Sequence, residues 1–201
     1  MSRHLLRLPS ATDGMKIGLF GGSFDPAHAG HAHVAETALK RLNLDYVWWI
    51  PARGNPLKST QTAFEKRFAS AEKMAKGPHM RVTDIEKRLD LSYTNALIQH
   101  LKTTAPKAHF VWIMGGDNLI NFHHWQGWNQ IAEAVPIAVV ARPGAGARAR
   151  FSKFARRYSH ARIADARAAS LATSSAPHWV HLRAPLNSES STRLRGNSSS
   201  W

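Results

Sequence analysis

Residues 17–39, IGLFGGSFDPAHAGHAHVAETAL, set an apolar run, a glycine pair, a proline and two histidines in an order that decides how the rest of the chain is read. The run through Phe20 reads as a strand. Gly21 and Gly22 allow a sharp turn and a close backbone approach to a ligand. Pro26 has no N–H and fixes the loop before a helix that begins near Ala29. Such a helix aims its first N–H groups and its positive dipole end back at the loop, which suits an anion. His31 falls in the first turn and His28 just ahead of it, so the stretch describes a phosphate cradle with two imidazole donors. It is not a P-loop, because no Gly-Lys-Ser/Thr follows the glycines. The glycine spacing also fails the dinucleotide fingerprint, and no acidic residue closes the next strand, YVWWIP. Two histidines three apart, with no acidic or thiol neighbour, give poor support for zinc.

The 201-residue chain favours one domain, with residues 1–14 as an N-terminal extension, 15–201 as the domain and 145–177 as a basic insert within it. It has no cysteine, which excludes disulfides and thiolate metal sites. Neither an apolar span of membrane length nor a signal-peptide pattern is evident, so a cytoplasmic protein is the expectation. The net charge of +14 attracts anions, whether nucleic acid, acidic lipid or phosphorylated metabolites. Much of the excess lies in Arg142, Arg148, Arg150, Lys153, Arg156, Arg157, Arg162 and Arg167, away from the histidines.

Six apolar runs read as strands, at 15–20, 46–51, 80–85, 109–114, 137–142 and 179–182. Several are continuously apolar, as in strands buried on both faces of a parallel sheet. Helical spacing falls between them. Val34, Ala38 and Leu42 share a face of 30–42; Phe64, Phe68 and Ala71 one of 62–76; Leu97, Ile98 and Leu101 one of 93–103. Alternation of this kind predicts an α/β fold, a Rossmann-like doubly wound parallel sheet. Phe151, Phe154 and Tyr158 predict one amphipathic helix, and the Ala/Ser-rich stretch on to Pro177 reads as a mobile connection. With strand order 3-2-1-4-5, the reversal falls between strands 1 and 4, where open α/β sheets bind ligands.

GGSFDPAHAGH (21–31) resembles the signature of the nucleotidylyltransferase superfamily, with His28-Ala29-Gly30-His31 as its HxGH core. Its extended form is most similar to that of the bacterial nicotinate-nucleotide adenylyltransferases. The resemblance implies that Gly21, Gly22, Ser23 and Phe24 line the ATP site with His28 and His31. SSTRLR (190–195) is similar to the second signature, which would bring Ser191, Thr192 and Arg195 to the ATP phosphates; Glu189 stands where the family usually has isoleucine. WIPARGNPLKS (49–59) resembles the proline-rich loop ending in a basic residue, here Lys58. Gly115, Gly116 and Asp117 correspond to the glycine-x-aspartate loop, and Arg142 to an Arg-Pro-Gly turn beside adenine. Ser92, Tyr93 and Thr94 match the family's Ser-Tyr-Thr element, whose helix start offers N–H donors to a carboxylate. Trp125 matches the tryptophan that stacks on the nicotinate ring.

The activity this implies is transfer of AMP from ATP to nicotinate mononucleotide, forming nicotinic acid adenine dinucleotide and pyrophosphate in NAD biosynthesis. His28, His31, Lys58 and Arg195 would be the catalytic residues. Mg²⁺ would come bound mainly through the ATP phosphates, with no metal site built from protein ligands. The expected partners are ATP and nicotinate mononucleotide, with room for a homo-oligomer and none for a membrane. Adenylyltransferases for nicotinamide mononucleotide or phosphopantetheine share the first signature and are the nearest alternatives. A basic nucleic-acid-binding protein is the alternative of another class; no RNP, zinc or helix-turn-helix signature accompanies the charge.

Overall fold

The computed structural model describes residues 11–54 and 62–185. Lys58, Ser191, Thr192 and Arg195 lie outside the described residues. The strands are β1 (Lys16–Gly22), β2 (Tyr46–Pro51), β3 (Met80–Val82), β4 (His109–Gly115), β5 (Ile137–Val140), β6 (Arg162–Ile163) and β7 (Trp179–Leu182). They form one sheet in the order β3-β2-β1-β4-β5-β7-β6, every pair parallel. The expected order 3-2-1-4-5 is therefore present, with two further strands on the β5 side. The chain winds outward through β2 and β3, then returns to place β4 beside β1. Register pairs Ile17 with both Tyr46 and Phe110, so the carboxyl ends of β2, β1 and β4 open on the same edge.

The helices are α1 (Ala29–Arg41), α2 (Phe64–Met74), α3 (Ile85–Arg88), α4 (Thr94–Thr104), α5 (Gly116–Asn121), α6 (Trp128–Ala134), α7 (Gly146–Arg150) and α8 (Lys153–Arg157). One sheet face packs Phe20, Trp49 and Val111 against Val34, Ala35 and Ala38 of α1, Ala71 of α2, and Ala168 and Leu171. The other packs Leu19, Trp48 and Trp112 against Leu97 and Leu101 of α4, Ile131 of α6, and Phe154 of α8. Covering both faces is what permits strands with no polar side, and Trp48 and Trp49 show the alternation by entering opposite layers.

Four local expectations are corrected. The strand read over 80–85 ends at Val82; Thr83 still bonds the Trp49 carbonyl, but Ile85 opens α3. In α2 the buried residues are Arg67 and Ala71, whereas Phe64 and Phe68 are half-buried and stack on each other. The single helix through Phe151, Phe154 and Tyr158 is two short ones. The Ser152 hydroxyl accepts the Ala155 N–H and starts α8 anew, which leaves Phe151 72% exposed while Phe154 and Tyr158 turn inward. The stretch read as a mobile connection instead carries β6, on the sheet edge, and a 3-10 segment Asp165–Thr173. Its Ala168, Leu171 and Ala172 are buried in the apolar layer on one face of the sheet.

Candidate active site

β1 delivers its loop to the binding edge, but its glycines do different work from a turn. Gly21 is buried, and a Cβ there would overlap the Trp112 ring on β4, so the missing side chain makes room for an indole at the base of the cleft. The turn itself falls at Phe24, with φ 46°, a left-handed conformation that a bulky residue adopts only when its surroundings hold it. They do: the Phe24 ring is buried edge-on to Phe20 (5.4 Å) and beside Trp49 (5.2 Å). The His31 ring packs edge-on to Phe24 at 5.0 Å, so Phe24 backs the imidazole and its ring does not line the cleft.

His28 caps α1. Its Nδ1 accepts the Gly30 N–H at 3.1 Å, while His31 Nδ1 accepts the His28 N–H at 3.3 Å, a reciprocal capping box made of two imidazoles. An Nδ1 that accepts a backbone hydrogen carries no proton, so each neutral ring holds its proton on Nε2. Both rings are thereby fixed as Nε2–H donors. His28 is 4% exposed, His31 is half-buried, and the ring centroids are 3.9 Å apart.

The loops around this cradle are tied together by Arg67, which the sequence reading passed over. It is 2% exposed, and its guanidinium donates to four carbonyls: Ser23 (2.8 Å), Ala52 (2.8 Å), Thr62 (2.9 Å) and Arg53 (3.2 Å). The loops after β1 and β2 are thus pinned to α2. Ser70, one turn on, adds bonds to the Ala27 N–H and the Phe24 carbonyl. Burial pulls the Arg67 pKa below its usual value, opposed by the charges of Asp25, Glu65 and Glu86.

Beside the cradle lies a cleft of about 450 Å³. Gly21, Gly22 and Ser23, read for the ATP site, line it together with Ser92, Tyr93, Thr94 and Trp125, read for the nicotinate nucleotide. Trp125 stands edge-on to Trp112 (6.2 Å) and Phe122 (5.4 Å), which fixes its ring as one wall. α4 begins at the cleft, and no side chain among the described residues caps it. Arg53 Nη1 donates to Ser92 Oγ at 3.3 Å, joining the β2 loop to this corner. Asn118, Asn121, His124, Gln126 and Glu86 also line the cleft and went unread. The spacing of Asn118, Asn121 and His124 by threes was the available signal. Asp117, at the start of α5, faces Arg142 beyond β5 at 3.9 Å, bringing together the two loops expected to border the nucleotide. Trp128 is half-buried against the core, with Arg157 5.9 Å above its ring.

The model for the family described as cytidylyltransferase-like matches residues 19–197. A Caulobacter protein named a probable nicotinate-nucleotide adenylyltransferase is 51% identical over 184 residues, covering 90% of this chain and 97% of its own. One of the same name from Agrobacterium fabrum is 48% identical over 185 residues, covering 91% and 99%. The chain belongs to the nicotinate-nucleotide adenylyltransferase family. The fold agrees: a Plasmodium falciparum nicotinic acid mononucleotide adenylyltransferase, solved with NaAD, superposes with a TM-score of 0.70 at 18% identity, over 90% of this chain and 83% of that one. As in other open α/β sheets, the cradle and cleft sit at the β1/β4 reversal.

Proposed function

We propose that the protein transfers AMP from ATP to nicotinate mononucleotide, giving nicotinic acid adenine dinucleotide and pyrophosphate. The observation that carries this reading is the imidazole pair, fixed as Nε2–H donors at the start of α1. The cleft with Trp125 and the α4 N-terminus supports the pyridine substrate.

In the reaction a phosphate oxygen of the mononucleotide attacks the α-phosphorus of ATP and the bond to the β-phosphate breaks, releasing pyrophosphate. The attacking phosphate is already largely ionised at neutral pH, with a second pKa of about 6, so no general base is needed. The task is to bring two anions together and stabilise charge on the transferring group, which positioned donors do. His28 and His31 donate to oxygens at the α-phosphorus, and Ser23 adds a hydroxyl. Asp117 and Arg142 border the adenosine. Lys58 and Arg195 hold the leaving pyrophosphate. Thr94 and its neighbours give N–H groups to the nicotinate carboxylate, and the Trp125 face attracts the electron-poor ring by about 1 kcal/mol or more when desolvated. The donors of the cradle are N–H groups and imidazoles, which suit phosphate oxygens rather than a hard cation. Mg²⁺ therefore enters as part of the substrate, on the ATP phosphates. The reading carries with it a cytoplasmic site of action.

Incubating the protein with ATP, Mg²⁺ and nicotinate mononucleotide tests it. The expected products are the dinucleotide by mass and an equal amount of pyrophosphate. Turnover of phosphopantetheine and not the mononucleotide would overturn it.

A further inference from the structure

Glu86 is the one acidic side chain among the described residues that line the cleft, and it is 5% exposed. Its Oε2 accepts the Arg53 N–H at 3.1 Å; Oε1 has no hydrogen-bond partner among the described residues. The Arg53 side chain reaches away to Asp90 (2.7 Å) and to Ser92 at the pyridine corner, so only its main chain serves Glu86. From α2, the Arg67 charge acts on Glu86, but its donors are committed to four carbonyls and its charge is shared with Asp25. On Glu86's own element, Asp84 pairs with Arg88 and Lys87 with Glu65. Across the cleft the titratable groups are Tyr93 and His124, and no lysine or arginine is among its described lining residues.

Resting on the proposed function, we infer that Glu86 receives the nicotinate carboxylate as a neutral acid, so that recognition of the acid substrate takes up a proton. Two carboxylates in one desolvated site cannot both ionise cheaply, and the proton settles on the weaker acid. The nicotinate group is the stronger acid of the two. Glu86 therefore takes the proton and can donate a hydrogen bond where, ionised, it would repel. Burial already pushes the Glu86 pKa up to about 7, against the opposing pull of the Arg53 N–H and the Arg67 charge. A carboxamide in the same place reverses the preference, since an ionised Glu86 accepts from its N–H₂. Discrimination between acid and amide then shifts with pH.

The test is the KM for nicotinate mononucleotide at pH 7, 8 and 9 in wild type and in Glu86→Gln, with the inhibition constant of nicotinamide mononucleotide in the same assay. In wild type KM should rise about fivefold from pH 7 to 8, and in Glu86→Gln the rise should vanish; the factor follows from a group half-protonated at about pH 7. The amide's inhibition constant should not rise. A second measurement needs no variant: calorimetry of nicotinate mononucleotide binding at pH 7.5 in buffers of different ionisation heat should show uptake of roughly three-quarters of a proton. A flat KM in wild type, a rise that persists in Glu86→Gln, an equal rise for the amide, or no proton uptake would each overturn the role of Glu86. These outcomes leave the proposed function standing if the dinucleotide still forms; failure to form it at any pH overturns both.

Discussion

Replacing Arg67 by Met keeps most of the side-chain volume and removes the guanidinium. Four carbonyls then lose their donor, at original distances of 2.8–3.2 Å, and Asp25 and Glu86 lose the charge that offsets their burial. Neutral hydrogen bonds contribute about 1 kcal/mol each and charge-assisted ones more, while unpairing a buried charge costs about 3–5 kcal/mol. The two sums describe overlapping losses, and water entering at the loop edge recovers part, so about 3–5 kcal/mol is the expected destabilisation. For a chain of this size that corresponds to a fall in Tm of about 6–20 °C. Arg67→Lys retains the charge but carries its donors on one nitrogen, which cannot span Thr62, Ser23, Ala52 and Arg53 together; about half the loss is expected. The assay is urea unfolding of the three proteins followed by tryptophan fluorescence. A loss under 1 kcal/mol for Arg67→Met, or equal loss for both variants, would refute the idea that the fork fastens these loops.

His31→Ala should lower turnover about 10²-fold or more, the effect of removing one key oxyanion donor; near-normal pyrophosphate release would remove its central role. Gly21→Ala should cost about 1–3 kcal/mol through overpacking against Trp112, and lower Tm without changing the net charge. A variant as stable as wild type would mean the indole yields freely. Glu86 gives a pH-dependent prediction. Its folded pKa is raised from 4.5 to about 7, so the native state binds more protons than the unfolded chain between those values. Its contribution is full below about pH 4.5 and is lost as pH rises through 7, by about 3 kcal/mol at most. Glu86→Gln should therefore exceed wild type in urea midpoint at pH 8.5 and match it near pH 5; an equal gap at both values would contradict the sign.

The sheet was legible because strands buried on both faces have no polar residues to obscure them. YVWWIP and HFVWIM stand out against any neighbour, and both lie where they were read. The GGSFDPAHAGH loop was legible as chemistry, and the structure adds which nitrogen of each ring faces the backbone. Arg67 was hidden because periodicity counts apolar positions, and a buried arginine on α2 looks like a solvated one until its carbonyl partners are known. Glu86 was hidden similarly, one residue past a segment read as strand, where the chain turns into α3. The break at Ser152 depends on one hydroxyl choosing a backbone N–H over water, a local competition that the Phe151/Phe154/Tyr158 spacing does not record.

On the proposed mechanism, the mutual cap between His28 and His31 ties turnover to the integrity of one helical turn. Anything that frays the start of α1, even at a residue far from either ring, frees Nδ1 to take the proton and turns the donors away from phosphate. Heating should then silence the enzyme before the sheet melts, so that inactivation runs ahead of the loss of ellipticity.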